Sequence, residues 1–294
     1  MNHVVQHPSA PFPIAGGALV VHQIPMGHDN LGWLLVSPRT GGCAVVDGPN
    51  ALPYLDRIAA EGWQLRAVFN THIHGDHIGV NHALGDQLRD LQVYGAAKTR
   101  DHIPGLTDPL EEGDSVTFEG ANIDVWLTEG HINGHLSFIT DGAVFCGDTL
   151  FAGGCGYLFD GPPATMHASL QRLAQLPGTT RVCCAHEYTM DNLRFAWTVE
   201  PSNPDLAARI RAVWQLRAAG GCAVPSTIAQ ERATNPFLRV NSRTIRSRVG
   251  ALRESQTSND GAEVFRMLRE HKDLGRHKTL ADSALPLLDR RRNG

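Results

Sequence analysis

No stretch of this 294-residue chain approaches the ~20 consecutive apolar residues of a membrane-spanning helix, so no contact with a bilayer is expected. The first residues, Met1-Asn2-His3-Val4-Val5-Gln6-His7-Pro8, carry neither a basic n-region nor an apolar h-region, and no secretory leader is expected. Neither sign of charge is in large excess. The 26 Lys+Arg stand against 30 Asp+Glu, and a formal net charge of −4 points to neither nucleic acid nor an anionic membrane surface. The six cysteines (Cys43, Cys146, Cys155, Cys183, Cys184 and Cys222) include no Cys-x-x-Cys pair. Several lie in apolar strand-like runs, where a free thiol acts as a small hydrophobe, so reduced thiols in a cytoplasm are expected. There is no internal repeat, no low-complexity block and no stripe that reads as an interface, so a monomer is expected.

What is present is ordinary globular composition, 42% hydrophobic and 19% charged, in a length that can bury one large core or two smaller ones. The charge is uneven along the chain. Residues 1–186 hold 8 Lys+Arg against 18 Asp+Glu, a net of −10, whereas residues 187–294 hold 18 against 12, a net of +6. The first part can offer carboxylates to cations and the second can offer cations to an anionic ligand.

Residues 1–17 read as an irregular, Pro-rich extension. Short runs of Val, Leu and Ile bounded by Gly, Pro and Asn predict strands at 19–24, 33–37, 43–47, 66–70 and 91–95, with helices at 51–61 and 77–88 between them. A second β-rich half is predicted from strands at 115–119, 122–128, 136–140 and 143–147, an amphipathic helix after Pro162-Pro163, and a strand at 181–185. Two β-rich halves flanked by helices predict an α+β sandwich of sheets with helices outside. Past residue 187 the pattern turns helical, at 191–200, 203–219 and 261–273. Asn203-Pro204 and Gly220-Gly221 give start and stop signals for the second of these. Domains are therefore expected at 18–186 and 187–274, with a loose polar tail from 275 to 294.

The densest chemistry is Thr71-His72-Ile73-His74-Gly75-Asp76-His77, directly after the strand-like Arg66–Asn70. A His-x-His pair alone is a common surface feature. With Asp76-His77 added it becomes a concentration of imidazole and carboxylate that packing does not call for and that suits Zn²⁺ and similar divalent ions. Four donors so close in sequence do not all reach one ion with ease, so a second ion, with further donors from elsewhere, is a natural completion. Such donors stand at other strand ends: His131 and His135 in Thr128-Glu129-Gly130-His131-Ile132-Asn133-Gly134-His135, Asp148 in Gly147-Asp148-Thr149, and His186 in Ala185-His186-Glu187-Tyr188. His82 and His167 read as helix-surface residues.

These motifs closely resemble glyoxalase II, the hydroxyacylglutathione hydrolases of the metallo-β-lactamase fold superfamily. Thr71–His77 matches the superfamily's T-H-x-H-x-D-H, Thr128–His131 its T-x-G-H loop, and Gly147-Asp148-Thr149 its G-D-T element. Ala152-Gly153-Gly154-Cys155-Gly156, His186-Glu187-Tyr188-Thr189, Asn192–Ala196, Asn235–Arg239 and Leu268–Asp273 resemble family-specific elements, so the likeness runs from about 18 to 274. It implies an αββα metallo-β-lactamase sandwich with a smaller C-terminal helical domain. It also implies two metal ions, Zn²⁺ with Fe or Mn as substitutes. His72, His74 and His131 would hold one, and Asp76, His77 and His186 the other. Asp148 would bridge the two, with Asp76 and Asp148 as the catalytic carboxylates and His135 outside the ligand set.

For a glutathione thioester the resemblance implies contacts from Tyr157, Tyr188, Arg269 and Lys272. The implied reaction is hydrolysis of S-D-lactoylglutathione to D-lactate and glutathione, with a hydroxide shared by two ions attacking the thioester carbonyl. Two positions depart from the family pattern. Tyr157 stands where a Lys or Arg usually faces the glutathione carboxylate, and Phe159 where some members have Tyr. Loss of that cation is expected to weaken carboxylate recognition by ~1–3 kcal/mol, the scale of a hydrogen bond to a charged group. The rival readings are a glutathione persulfide dioxygenase with a single iron, a β-lactamase or lactonase, and a non-catalytic binding protein. The helical C-terminal region argues against the first two, and the complete set of donors against the third.

Overall fold

The computed structural model describes residues 3–252 and 260–287. Strands β1 (Phe12–Ile14), β2 (Leu19–Met26), β3 (Asn30–Val36), β4 (Gly42–Val46), β5 (Gln64–Phe69), β6 (Gln92–Ala96) and β7 (Asp108–Leu110) form one sheet in sequential order. Pairings from β1 to β4 are antiparallel and those from β4 to β7 parallel. The parallel part needs crossovers, and α1 (Leu52–Glu61) and α2 (Gly75–Leu84) supply two of them. A second sheet contains β8 (Ser115–Phe118), β9 (Ala121–Leu127), β10 (Leu136–Thr140) and β11 (Ala143–Gly147). After a small hairpin of β12 (Leu150–Phe151) and β13 (Gly154–Cys155), it is completed by β14 (Arg181–Cys184) and β15 (Ser226–Thr227).

Side-chain parity along the strands explains the layering. Trp33, Leu35, Ala44, Val46 and Phe69 point between the sheets and meet residues such as Phe138 and Phe145. Leu34, Val36, Val45 and Val68 point the other way and are covered by Tyr54 and Ile58 of α1 and Val80 and Leu84 of α2. Helix α3 (Pro163–Leu173) covers the second sheet with Met166, Leu170 and Leu173. The result is an α+β sandwich, helix–sheet–sheet–helix, with a separate helical region at the C-terminus.

That region comprises α4 (Thr189–Val199), α5 (Pro204–Ala218), α6 (Ile228–Thr234), α7 (Arg243–Leu252) and α8 (Gly261–Asp273). Asn203 caps α5, its side chain accepting from the N–H groups of Asp205 and Leu206. Phe195 stacks on Phe237, which meets Phe265 edge to face, through its centre. The segment Asn235-Pro236-Phe237 reaches back to the sheet sandwich, where Asn235 Nδ2 donates to the carbonyls of Phe151 and Gly154.

Three expectations are corrected. Residues 275–287 are docked rather than loose. Arg194 binds the Leu280 carbonyl and the Asp282 carboxylate, Trp197 Nε1 donates to Ala284 O at 3.0 Å, and Leu285 is buried against α4 and α5. Leu280 and Leu285 supply the apolar anchors that a count of polar residues overlooks. The remainder of the expected tail, 288–294, lies outside the described residues. His167 is half-buried against Phe265 of α8, because α8 packs on α3 where the sequence suggested solvent. The helix expected at 77–88 begins at Gly75 and gives way at Gly85 to a 3₁₀ turn, so Asp76 and His77 sit in its first turn.

Candidate metal centre and adjoining cleft

Four of the strand ends noted in the sequence meet at one rim. The loop after β5 and the start of α2 bring His72, His74, Asp76 and His77. The loop after β9 brings His131, the turn after β11 brings Asp148, and the end of β14 brings His186. The donor atoms group into His72–His74–His131, His72–His77–Asp148 and Asp76–His77–His186, each set within 4.8 Å.

His74 Nδ1 lies 2.9 Å from His72 Nε2 and 3.0 Å from His131 Nε2. On the other side, His186 Nε2 lies 3.3 Å and His77 Nε2 3.8 Å from Asp76 Oδ2. Asp148 stands between the groups. Its Oδ1 is 3.5 Å from His77 Nε2 and 3.4 Å from His186 Nε2, and its Oδ2 is 3.5 Å from His131 Nε2.

The far side of each ring explains why these nitrogens face inward. His77 Nδ1 donates to Asp47 Oδ2 at 3.0 Å, His131 Nδ1 to the Tyr157 carbonyl at 2.7 Å, and His186 Nδ1 to Asp29 Oδ1 at 2.8 Å. His72 Nδ1 donates to Thr71 Oγ1 at 3.1 Å, whose own proton goes to Asp47. With Nδ1 carrying the proton, each Nε2 lone pair is left aimed at the cluster, as metal-ligating histidines require. His77 Nε2 and Asp148 Oδ1 are buried without any hydrogen-bond partner. Converging lone pairs and orphaned buried donors fit cations and little else.

Electrostatics divide the rings: burial opposes charge on His77 and His186, but Asp148 with Asp47 pushes His77 up to about 10, and Asp148 with Asp29 and Asp76 pushes His186 well above the ordinary imidazole value. Burial holds His72, His74 and His131 below the ordinary imidazole value, so they are neutral. Burial opposes the charge of Asp148, but the adjacent His186 and His77 outweigh it and keep the carboxyl well below the usual range.

Outer contacts keep this geometry in place. His135, buried, accepts the Asp148 N–H on Nε2 at 3.1 Å and thereby sets the turn that aims the carboxylate. Gly147, at φ +44°, permits that turn, and a Cβ there would sit 2.4 Å from Thr71 Oγ1. Asn30 Nδ2 donates to Asp76 Oδ2 at 3.1 Å. Asp47, Asp29 and Asn30 escaped the reading of the sequence. Asp47 ends a predicted strand, as the other site residues do, and that signal was available. Asp29 closes a hairpin turn and Asn30 opens β3, places that carry no mark of a metal site.

Beside the cluster lies a cleft of about 360 Å³ lined by Tyr157, Tyr188, Arg269 and Lys272 among others, so the four expected contact residues share one wall. Tyr188 stacks on His186 at 4.8 Å and its hydroxyl donates to Asp29 Oδ1. Arg269 is buried. It donates to Asp273 Oδ1 at 2.6 Å and to the Cys155 carbonyl at 3.1 Å, holding the Cys155-Gly156 turn. Lys272 Nζ meets Asn192 Oδ1, and burial, followed by the charge of Arg269, lowers its pKa to about 8. Tyr157 and Phe159 are exposed at the mouth, the Phe159 ring 5.0 Å from His74.

Comparison with known proteins agrees with this geometry. A family model described as hydroxyacylglutathione hydrolase C-terminus matches residues 187–274, and that of the metallo-beta-lactamase superfamily matches residues 32–186. The hydroxyacylglutathione hydrolase of Synechococcus sp. (strain JA-3-3Ab) is 48% identical over 253 residues, 85% of this chain and 98% of that protein. The hydroxyacylglutathione hydrolase of Thermosynechococcus vestitus is 48% identical over 241 residues, 81% of this chain and 96% of that protein. Among solved structures, TTHA1623 in a di-iron-bound form aligns with a TM-score of 0.52 and 27% identity, over 74% of this chain and 100% of its own length.

Proposed function

The chain belongs to the hydroxyacylglutathione hydrolase family of the metallo-β-lactamase superfamily, and from that premise we infer that it hydrolyses S-D-lactoylglutathione to D-lactate and glutathione at a binuclear metal site. One observation carries this reading: the two oxygens of Asp148 face two separate histidine groups at the edge of a cation-lined cleft.

In this reading His72, His74 and His131 hold one ion, Asp76, His77 and His186 the other, and Asp148 both. Zn²⁺ suits these nitrogen and oxygen donors, and Fe²⁺ or Mn²⁺ are compatible with the same set. Two such ions, when bound, polarise a carbonyl and bring water within reach of hydroxide near neutral pH. The chain itself does the rest. The oxygens behind His72, His77, His131 and His186 keep those donors in place, and Asp76 is aligned by Asn30. Tyr157, Tyr188, Arg269 and Lys272 position the glutathione half so that the thioester carbonyl lies at the cluster. The departing thiolate has an unperturbed pKa near ~8.5, so no dedicated general acid is needed. We assign the chemistry to residues 18–186 and the grip on the anionic thiol to residues 187–274.

The test is metal per chain by elemental analysis alongside turnover of S-D-lactoylglutathione. Two ions per chain, loss of turnover on chelation and its return on remetallation are expected. A single iron with oxygen uptake on glutathione persulfide would replace this reading with the dioxygenase.

A further inference from the structure

The match to the helical family region ends at residue 274, yet the cleft does not. Gly275, His277 and Lys278 also line it. Gly275, in the left-handed conformation at φ +68°, turns the chain back at the end of α8. The turn that follows is held at several points. His277 is buried and its Nε2 lies 3.1 Å from Asp191 Oδ2, Arg194 Nη2 donates to Asp282 Oδ1 at 2.6 Å, and Leu285 is buried against Leu193 and Ile210. The segment is thus a fixed part of the wall.

The charges on that wall decide what it can hold. Arg269 is engaged with Asp273 and with backbone carbonyls, and the half-buried Lys272 donates to Asn192 Oδ1. The carboxylates of Asp191 and Asp273 face the same space. Those two cations and two carboxylates balance, and position 157 contributes only a neutral phenol. Lys278, on an exposed site with a flexible stem, makes the wall net positive. Its backbone N–H is tied to the Gly275 carbonyl at 3.0 Å, so the base of the side chain is fixed while the ammonium can swing over the cleft.

We propose that residues 275–287 form one side of the substrate cleft and that Lys278 is a specificity-determining residue, pairing with a carboxylate on the thiol half of the substrate. This deepens the thioesterase reading and rests on it for the class of ligand. A glutathione-type thiol carries two carboxylates and one ammonium, so it arrives with a net negative charge. Lys278 gives an otherwise balanced wall a net positive charge, and so adds a net attraction for that anion to the local contacts of Arg269 and Lys272. Lys278 is exposed and acts on the fold through the charge it presents to the nearby Asp191 carboxylate, so its replacement bears on recognition more than on folding.

The experiment compares wild type, Lys278→Ala, Lys278→Glu and Lys278→Arg on S-D-lactoylglutathione and on the lactoyl thioester of N-acetylcysteamine, a thiol with no charge. Binding of glutathione itself is measured by calorimetry. Lys278→Ala is expected to raise KM for the glutathione thioester and to weaken glutathione binding by about 3- to 10-fold, the range of one partly exposed charge-assisted contact, with kcat unchanged. Lys278→Glu should weaken both further, Lys278→Arg should restore them, high salt should shrink the difference, and the neutral thioester should show none of it. Unchanged glutathione affinity in both the Ala and Glu variants, or an equal loss on the neutral thioester, overturns the proposal. Absence of thioester turnover in the wild type would instead sink the hydrolase reading, while the glutathione calorimetry would still decide the role of Lys278.

Discussion

Asp47 Oδ2 accepts the Nδ1 proton of His77 at 3.0 Å across the end of the first sheet. The same carboxylate accepts the Thr71 backbone N–H at 2.8 Å and its hydroxyl at 2.6 Å. One buried side chain therefore sets both the ring of His77 and the strand end from which His72 departs. Tyr54 of α1 secures it in turn, donating to the Asp47 carbonyl at 2.7 Å. Replacing Asp47 with Ala is expected to lower metal affinity about 10- to 100-fold, the usual cost of an outer-shell partner. It should also destabilise the fold by about 1–3 kcal/mol, because the Thr71 donors lose their acceptor. Chelator competition and urea unfolding check the two effects separately. A metal affinity equal to that of the wild type would remove Asp47 from the site.

Asp148 makes a sharper case. If its two oxygens serve two ions, Asp148→Ala removes a donor from each, and turnover should fall by more than the ~100-fold that outer-shell changes cost. Bound metal should fall with it. Elemental analysis on the same sample distinguishes this from a purely catalytic loss, since full metal content with low rate would contradict the bridging assignment.

The pH dependence of recognition should follow Lys272. Burial, with help from Arg269, has brought its pKa down to about 8. Below that pH the side chain is an ammonium and attracts a carboxylate. Above it the side chain is neutral and does not. KM for S-D-lactoylglutathione should therefore stay flat up to about pH 8 and climb beyond it. Lys272→Arg, which stays charged, should abolish the climb. A KM that is level to pH 9.5 or so in the wild type would show that Lys272 does not meet the substrate in its charged form.

Stability of the junction should rest on Glu231. It is fully buried and pairs with Arg209 at 2.6 Å, while its second oxygen accepts the Gly153 N–H at 2.8 Å and the Asn235 amide at 3.0 Å. Glu231→Ala would strand the buried Arg209 charge, at a cost of about 3–5 kcal/mol in denaturant unfolding. Because Gly153 belongs to the turn that leads to Cys155 and Gly156 at the cleft, KM should rise in whatever fraction remains folded. A shift below about 1 kcal/mol would mean that water replaces the carboxylate.

Much of this architecture was legible in the chain. The strands at 136–140 and 143–147 and the helix at 261–273 appear at the predicted positions, because their apolar periodicity is backed by Gly, Pro or Asp at the ends. Helices α6 and α7 were not predicted. The first is short, and the second, Arg-Thr-Ile-Arg-Ser-Arg-Val-Gly-Ala-Leu, hides its few apolar positions among three cations and two hydroxyls. The docking of 275–287 was also illegible, since the groups that hold it, Arg194, Trp197 and Asp191, lie some 80 to 90 residues earlier.

By itself the sequence determined which residue types stand at the strand ends and which halves of the chain carry surplus acid or base. Those are properties of neighbours along the chain, and periodicity and local turn chemistry encode them. Only the tertiary structure decided that Asp148 turns its two oxygens to different histidines and that Asp47 and Asp29 lock the rings from behind. Each of these depends on a bond between positions brought together by sheet packing, where an ångström or two separates a donor from a bystander, and no local pattern in a chain carries that distance.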